Sequence, residues 1–162
     1  MIVRKIISGG QTGVDIAAID EAIALDLDWG GWVPKGRPQE RGGVIPASYD
    51  KFREHDSRDW MPRTRANVDD ATATLVLVSH AQYSREGVLF GGSGSTLAYA
   101  SGWKPARAKS IEEFIPSEVE EVQDWLRRIK EPGCILNVAG PRASKWPGGY
   151  VSTRAFLRAV LA

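Results

Sequence analysis

Three glycine-rich segments of the chain could bind a phosphate through their backbone N–H groups. They are Ser8–Gly13, Gly91–Thr96 and Asn137–Arg142, and each stands at or shortly after an apolar run typical of a buried strand. Glycine lets an anion approach the backbone closely, and a helix that starts there adds the positive end of its dipole. Because the carboxyl ends of parallel strands meet at one edge of a sheet, we expect these segments to form one pocket for a phosphate-bearing ligand.

Side chains near these segments could add charge and hydrogen bonds. Arg142 follows a proline that stiffens its turn, and a guanidinium binds two phosphate oxygens at once. Lys35 is a second candidate cation, and Arg63 and Asn67 share a face of a predicted helix. Arg142 could instead form a surface ion pair, and Arg63 and Asn67 could equally belong to a solvated helix face. Asp15 either favours a helix dipole or accepts a hydrogen bond from a ribose or a ring N–H.

An aromatic side chain, Trp32, flanks the predicted pocket and could stack on a flat ring. The candidate ligand-binding residues are Gly9, Gly10, Gln11, Thr12, Gly13, Asp15, Trp32, Lys35, Arg63, Asn67, Gly91, Gly92, Ser93, Ser95, Thr96, Asn137, Gly140 and Arg142.

The first segment matches neither the P-loop pattern nor the dinucleotide fingerprint, so it predicts neither ATP hydrolysis nor NAD binding. His55 and His80 have no neighbouring cysteine or spaced carboxylates, so no protein-ligated metal and no catalytic triad are expected.

Length and composition limit the fold and the class of partner. The chain has 162 residues, 43% of them hydrophobic and 25% charged, which predicts one domain spanning residues 1–162. Its formal net charge of +1 gives no field to hold a polyanion, so nucleic-acid binding is not favoured. Its single cysteine indicates a reducing compartment, and no run approaches the ~20 apolar residues of a membrane span. We therefore expect a cytoplasmic protein that does not enter a membrane.

The elements that must position these residues alternate between strands and helices. Short apolar runs predict strands at Ile2–Ile7, Ala73–Val78 and Cys134–Ala139. Helical spacing of apolar residues predicts helices at about Val14–Leu27, Met61–Asp70, Thr96–Ser101, Ser117–Ile129 and Val151–Leu161. Trp29–Val33 and Lys104–Ile111 are places for further strands, and Pro34–Trp60 is predicted to be a long loop over one face of the sheet. The alternation favours a parallel α/β sheet with right-handed crossovers.

Several motifs together resemble the family of putative molybdenum carrier proteins. They cover nearly the whole chain, in the order Ile7–Asp15, Gly30–Gly36, Arg63–Thr64 with Asn67–Val68, Gly91–Gly92 and Leu136–Arg142. That family is regarded as a circularly permuted, Rossmann-like relative of the molybdenum cofactor carrier proteins and of the lysine-decarboxylase-like phosphoribohydrolases.

The resemblance implies a fold and a kind of ligand. The fold would be α/β, a single Rossmann-like three-layer domain with a mostly parallel sheet and helices on both faces, commonly in a homo-oligomer. Its ligand would be a nucleotide or a phosphorylated pterin, bound at the rim described above. The molybdenum cofactor (molybdopterin) would suit such a site, because its own dithiolene holds the metal and protein ligands are not needed.

The phosphoribohydrolase relatives share a Pro-Gly-Gly-x-Gly-Thr-x-x-Glu pattern that Gly91–Ala98 follows only in part. Ser95 stands at the threonine position, and Ala98 or Tyr99 falls where the acid is expected. This pattern therefore supplies no carboxylate for acid–base work on an N-glycosidic bond, although Asp15 could substitute. We favour a non-catalytic binding or carrier protein over two alternatives, a nucleotide N-glycosidase and a single-stranded nucleic-acid or interaction module.

Overall fold

The computed structural model describes residues 2–129 and 131–162, in which strands and helices alternate. The strands of this part are β1 (Val3–Ile7), β2 (Asp28–Val33), β3 (Phe52–Glu54), β4 (Ala73–Val78), β5 (Ala106–Ser110) and β6 (Cys134–Ala139). The α-helices are α1 (Val14–Ala24), α2 (Trp60–Asp70), α3 (Gly91–Ser101), α4 (Pro116–Arg127) and α5 (Gly149–Leu161). Short 3-10 turns lie at Glu40–Gly42 and His80–Gln82.

The strands form one sheet in the order β3-β2-β1-β6-β4-β5. Every pairing between these strands is parallel. The chain moves toward one edge of the sheet from β1 to β2 and toward the other edge from β4 to β5. Because both crossovers are right-handed in such sheets, α1 and α3 cover opposite faces. Helices α1, α4 and α5 pack together on one face, and α2 packs with α3 on the other. The predicted Rossmann-like α/β fold is confirmed.

Burial follows this layering. Strand β4 is buried at every residue and, apart from Thr74, is entirely apolar, as expected for a strand covered on both faces. Edge strand β5 is half-buried throughout, which lets its polar side chains reach water. This explains why Lys104–Ile111 contains a strand despite its polarity. No helix in the described ranges is long and apolar enough to cross a membrane.

Two predicted element boundaries are wrong. The segment Pro34–Trp60 is not all loop, because it contains β3, which pairs with β2 at Gly31 and Phe52. A strand of three residues is too short to show periodicity, so only pairing with its neighbour reveals it. The glycine segment Gly91–Thr96 is not a loop either, since α3 begins at Gly91.

The strand order brings the glycine segments together. Strands β1, β6 and β4 are adjacent, so the segments that follow them leave the same edge of the sheet. The first and third segments touch through their backbones at Gly13, whose φ is +80° and where an added Cβ would lie 2.7 Å from the Pro141 carbonyl oxygen. Only glycine allows this contact, and the amide of Val14 donates to the same carbonyl at 3.4 Å.

Candidate functional site

A cavity of about 490 Å³ opens at this carboxyl edge of the sheet. Its size is within the range of small-molecule sites. We call it the main cavity. It is lined by parts of the β1–α1 segment, the first turn of α2, the region that leads into α3 and the segment after β6, namely Gln11, Asp15, Trp60, Met61, Arg63, Thr64, Gln82, Phe90, Gly91, Gly92, Ser93, Thr96, Ala139, Gly140, Pro141, Arg142 and Lys145.

Arg63 brings a buried positive charge to this cavity. Its side chain is 12% exposed and lies over Gly9, where an added Cβ would fall 2.5 Å from the guanidinium carbon. Its Nη1 donates to the Thr64 hydroxyl at 2.5 Å, but its Nε is buried and has no hydrogen-bond partner among the described residues. Burial lowers the pKa of Arg63, yet a guanidinium stays charged at neutral pH. Such a group is well suited to bind an anion.

Asp15, at the start of α1, is the carboxylate that faces Arg63. Its Oδ2 lies 3.9 Å from Arg63 Nη2, too far for a hydrogen bond, and accepts the Gln11 amide at 3.3 Å. Burial raises the pKa of Asp15 to about 6, although Arg63 and the amides of Gln11, Gly140 and Gly9 act in the opposite direction. Amides from the first and third glycine segments are thus directed at an internal carboxylate. The sequence had predicted that they would face a ligand phosphate.

The first turn of α3 presents backbone N–H groups at the same cavity. The residue before this helix, Phe90, gives no side-chain cap, and the first turn contains no acidic residue. Gly91 and Gly92 are exposed residues at the start of the helix, where the first N–H groups have no partner within the helix itself. The hydroxyl of Thr96 donates to the Gly92 carbonyl at 2.9 Å, which holds that side chain against its own helix. An anion here would meet the unpaired amides and the positive end of the helix dipole.

Arg142 lies at the outer wall of the cavity and is held by a residue of the long segment after β2. Its Nε is 3.2 Å from Oε2 of Glu40. The Glu40 carboxylate is 12% exposed and also accepts the Thr12 hydroxyl at 2.9 Å and the Ser144 amide at 3.0 Å. Burial would raise the pKa of Glu40, but hydrogen bonds from Ser144 and Thr12 and the charge of Arg142 outweigh it and lower that pKa.

Comparison with known proteins agrees with this fold and these motifs. The sequence model of the circularly permutated YpsA SLOG family matches residues 6–161. The chain belongs to this family. It is also similar to the crystal structure, at 1.45 Å resolution, of a putative molybdenum carrier protein from Syntrophus aciditrophicus SB, with 38% identity and a TM-score of 0.88. The similarity covers 99% of this chain and 96% of that one, so the predicted family resemblance is confirmed. No curated protein matches the chain.

The main cavity of this SLOG-family chain gathers about half of the sequence-predicted site. The predicted residues that line it are Gln11, Asp15, Arg63, Gly91, Gly92, Ser93, Thr96, Gly140 and Arg142. The predicted residues outside its lining are Gly9, Gly10, Thr12, Gly13, Trp32, Lys35, Asn67, Ser95 and Asn137.

Trp32 and Asn67 form a junction between α2 and β2. The Asn67 side chain accepts the Trp32 amide at 2.7 Å and donates to the Trp32 carbonyl at 3.0 Å. The indole N–H donates to Asp70 at 2.8 Å, and the guanidinium of Arg53 lies 4.2 Å from the ring centroid. These contacts orient Trp32 away from the cavity lining.

The other predicted residues outside the lining also have structural contacts. The Asn137 amide donates to the Thr74 hydroxyl at 3.3 Å within the sheet. Gly10 faces the core, since an added Cβ would meet Ile45 and Val33 within 3 Å. The side chain of Lys35 is exposed, and its backbone amide donates to the Ser57 carbonyl at 2.9 Å. The Ser95 hydroxyl donates to the Gly91 carbonyl at 3.2 Å.

Sequence reasoning missed Trp60, Phe90 and Lys145 as lining residues. Trp60 precedes Arg63 by three residues, the spacing of one helical turn, and this spacing could have indicated Trp60. Lys145 lies in the turn between β6 and α5, where helical spacing gives no signal. Nothing local indicated Glu40, because its partners lie in other segments.

In the described ranges no group of three or more His, Cys, Asp or Glu side chains could hold a metal ion.

Proposed function

We propose that this protein binds and carries a small phosphorylated ligand with a flat ring, of the pterin or nucleotide type. The observation that carries the proposal is Arg63, which lines the main cavity beside the start of α3 and whose buried Nε has no hydrogen-bond partner among the described residues. A buried cation with unused donors is costly unless an anion meets it. A ligand phosphate between Arg63 and the first amides of α3 would satisfy both groups.

The ring of the ligand has an apolar surface available in the same cavity. Trp60 is 38% exposed and Phe90 is 53% exposed, although both are large aromatic side chains. Met61 adds a flexible apolar contact. Exposed aromatic side chains at a cavity are suited to stacking on a flat ring. Trp60 thus takes the role that the sequence suggested for Trp32.

The molybdenum cofactor is one cargo that this donor set fits. The structurally similar protein from Syntrophus aciditrophicus SB is described as a putative molybdenum carrier protein. The cofactor carries a phosphate and a pterin, and its dithiolene holds the metal, so a carrier needs an anion site and a ring surface. Arg63 and α3 would supply the first and Trp60 the second.

Titration with AMP, GMP and pterin phosphates tests the binding site, with tryptophan fluorescence and calorimetry as readouts. Arg63→Ala should weaken binding of every phosphorylated ligand by about tenfold or more, since it removes a charge-assisted contact. Arg65→Ala is the matched control, because Arg65 is exposed on the same helix and outside the cavity lining. Equal affinities in Arg63→Ala and wild type would refute this site.

The cargo is tested separately. The protein would be purified without oxygen from cells that make the cofactor, and then assayed for pterin fluorescence and for molybdenum. We expect near-stoichiometric amounts of both in the wild type and a loss of both in Arg63→Ala. If the wild type contains neither pterin nor molybdenum, the cofactor is excluded as the ligand. The titration then decides whether a nucleotide binds.

A nucleotide N-glycosidase is the second candidate, favoured by Asp15. Its raised pKa of about 6 lets the carboxyl group hold a proton near neutral pH, as a general acid requires. In that reaction water would add to the anomeric carbon, the C–N bond would break and Asp15 would protonate the leaving base, while the proton that the water loses would pass to solvent, from which Asp15 is reprotonated. Incubation with nucleoside monophosphates should release free base from wild type but not from Asp15→Asn. No release above the Asp15→Asn level would exclude this activity.

A further inference from the structure

A second cavity of about 440 Å³ adjoins the first. We call it the basic cavity, and it is lined by Glu40, Arg41, Trp60, Arg142, Ser144 and Lys145. Trp60, Arg142 and Lys145 line the main cavity as well, so the two cavities are neighbours. Three cationic side chains and one carboxylate surround the basic cavity, which leaves a surplus of positive charge where the cavities meet.

Glu40 attaches the long segment after β2 to the rest of the protein, and this role explains only some of the charged side chains around the basic cavity. Glu40 binds Thr12, Ser144 and the Nε of Arg142, and so ties residues 34–51 to the segment after β6. Neither Arg41 nor Lys145 forms a salt bridge with any described residue. The nitrogen of Arg142 nearest to Glu40 is Nε, and the two terminal nitrogens of a guanidinium can together bind an anion.

We propose that the basic cavity binds a second anionic group of the same ligand, so that the protein prefers diphosphates to monophosphates. This rests on the proposed function, because Arg63 and the start of α3 would hold the first phosphate. The second phosphate would contact Arg41, Lys145 and the terminal nitrogens of Arg142. Glu40 would act as a positioning residue that holds Arg142 in place.

The shared wall between the cavities favours one ligand over two separate ones. Lys145 and Arg142 line both cavities, so a single phosphate chain can contact them while its other end stays at Arg63. Coulomb attraction to several cations grows with ligand charge, which favours a diphosphate further.

Calorimetric titration with inorganic phosphate, pyrophosphate, GMP and GDP tests the proposal. We expect wild type to bind pyrophosphate at least about tenfold more tightly than phosphate, and GDP at least about tenfold more tightly than GMP, the effect of one added charge-assisted contact. Arg41→Gln should remove most of this preference and leave GMP affinity unchanged, because Arg41 lines only the basic cavity. Arg128→Gln is the control, since Arg128 is exposed at the end of α4, at the opposite edge of the sheet.

The outcomes separate this inference from the proposed function. Equal affinities for mono- and diphosphates in wild type would refute binding of a second phosphate in the basic cavity, and so would a diphosphate preference that survives Arg41→Gln. Either result would leave the Arg63 site intact. If pyrophosphate binds but GMP and GDP do not, and Arg41→Gln abolishes that binding, the basic cavity binds an anion by itself, which overturns the inference that it holds the second group of a nucleotide anchored at Arg63. Absence of binding by all four probes contradicts both. Unchanged thermal melting of Arg41→Gln confirms that the variant is folded.

Discussion

Helix α1 carries two buried carboxylates, and their surroundings differ. The Glu21 side chain is 0% exposed and accepts the Nε groups of Arg154 at 2.8 Å and Arg158 at 2.7 Å. Burial alone would raise the pKa of Glu21, but hydrogen bonds from Arg158 and Arg154 outweigh it and the pKa is lowered. Asp15 has its arginine at 3.9 Å, and burial raises its pKa to about 6.

The difference shows that burial of a charge does not by itself indicate a functional site. Glu21 is fully paired and joins α1 to α5, away from both cavities. Asp15 and Arg63 are buried to a similar degree, yet their pairing is incomplete, and both line the main cavity. Incomplete pairing leaves donors and a titratable group available to a ligand, whereas complete pairing contributes to the stability of the fold.

The largest effect is expected when Glu21 is neutralised. Glu21→Gln should lower the free energy of unfolding by about 3 kcal/mol, because it leaves two arginines without their carboxylate. Urea denaturation measures the loss, and Glu120→Gln, on the exposed face of α4, should change stability by less than about 0.5 kcal/mol. A similarly small loss in Glu21→Gln would mean that the pairing does not stabilise the fold.

The two carboxylates should also give opposite pH dependences of stability. Asp15 has a folded-state pKa above its ordinary 3.8, so its stabilising contribution is present below pH 3.8 and is lost as pH rises through about 6. Asp15→Asn should therefore gain stability relative to wild type across this range, by at most about 3 kcal/mol.

The contribution of Glu21 to stability should depend on pH in the opposite direction. Its lowered pKa means that its contribution is present above pH 4.5 and is lost as pH falls below that value. Urea denaturation of both variants and wild type from about pH 3 to pH 8 measures the two slopes. Parallel pH curves for Asp15→Asn and wild type would contradict the raised pKa of Asp15.

A smaller effect is expected on anion binding. Sulfate keeps its double charge in this pH range, and protonation of Asp15 makes Arg63 fully available to it. Wild type should bind sulfate about fivefold more tightly at pH 5.5 than at pH 7.5, or about 1 kcal/mol, whereas Asp15→Asn should show no change. Glu40 stays ionised across this range, since its pKa is lowered. A similar pH dependence in the variant would assign the effect to another group.

The smallest effect concerns one arginine of the Glu21 cluster. The Arg158 side chain is 60% exposed, and Arg154 still binds Glu21 when Arg158 is removed. Arg158→Ala should therefore cost only about 0.5 kcal/mol of unfolding free energy, typical of a solvated ion pair. A loss as large as that of Glu21→Gln would show that the pair acts as one unit.

Several features could be predicted because their signals are local. The strands that became β1, β4 and β6 are short apolar runs ending at glycine or polar residues, and their alternation with helical periodicity was enough to predict a parallel sheet. Strand β3 could not be predicted, because its three residues become a strand only by pairing with β2. The start of α3 was also missed, since glycine is a poor helix former and the fold overrides its propensity there.

The sequence by itself determined the layered fold, the family and the edge of the sheet at which the glycine segments lie, because these follow from residue spacing along the chain. Only the tertiary structure decided which charges meet: Arg63 with Asp15 in the main cavity, and Arg142 with Glu40 at its outer wall. The physical reason is that pairing and burial depend on contacts between distant segments, and these contacts set both the pKa of a carboxylate and the donors left for a ligand.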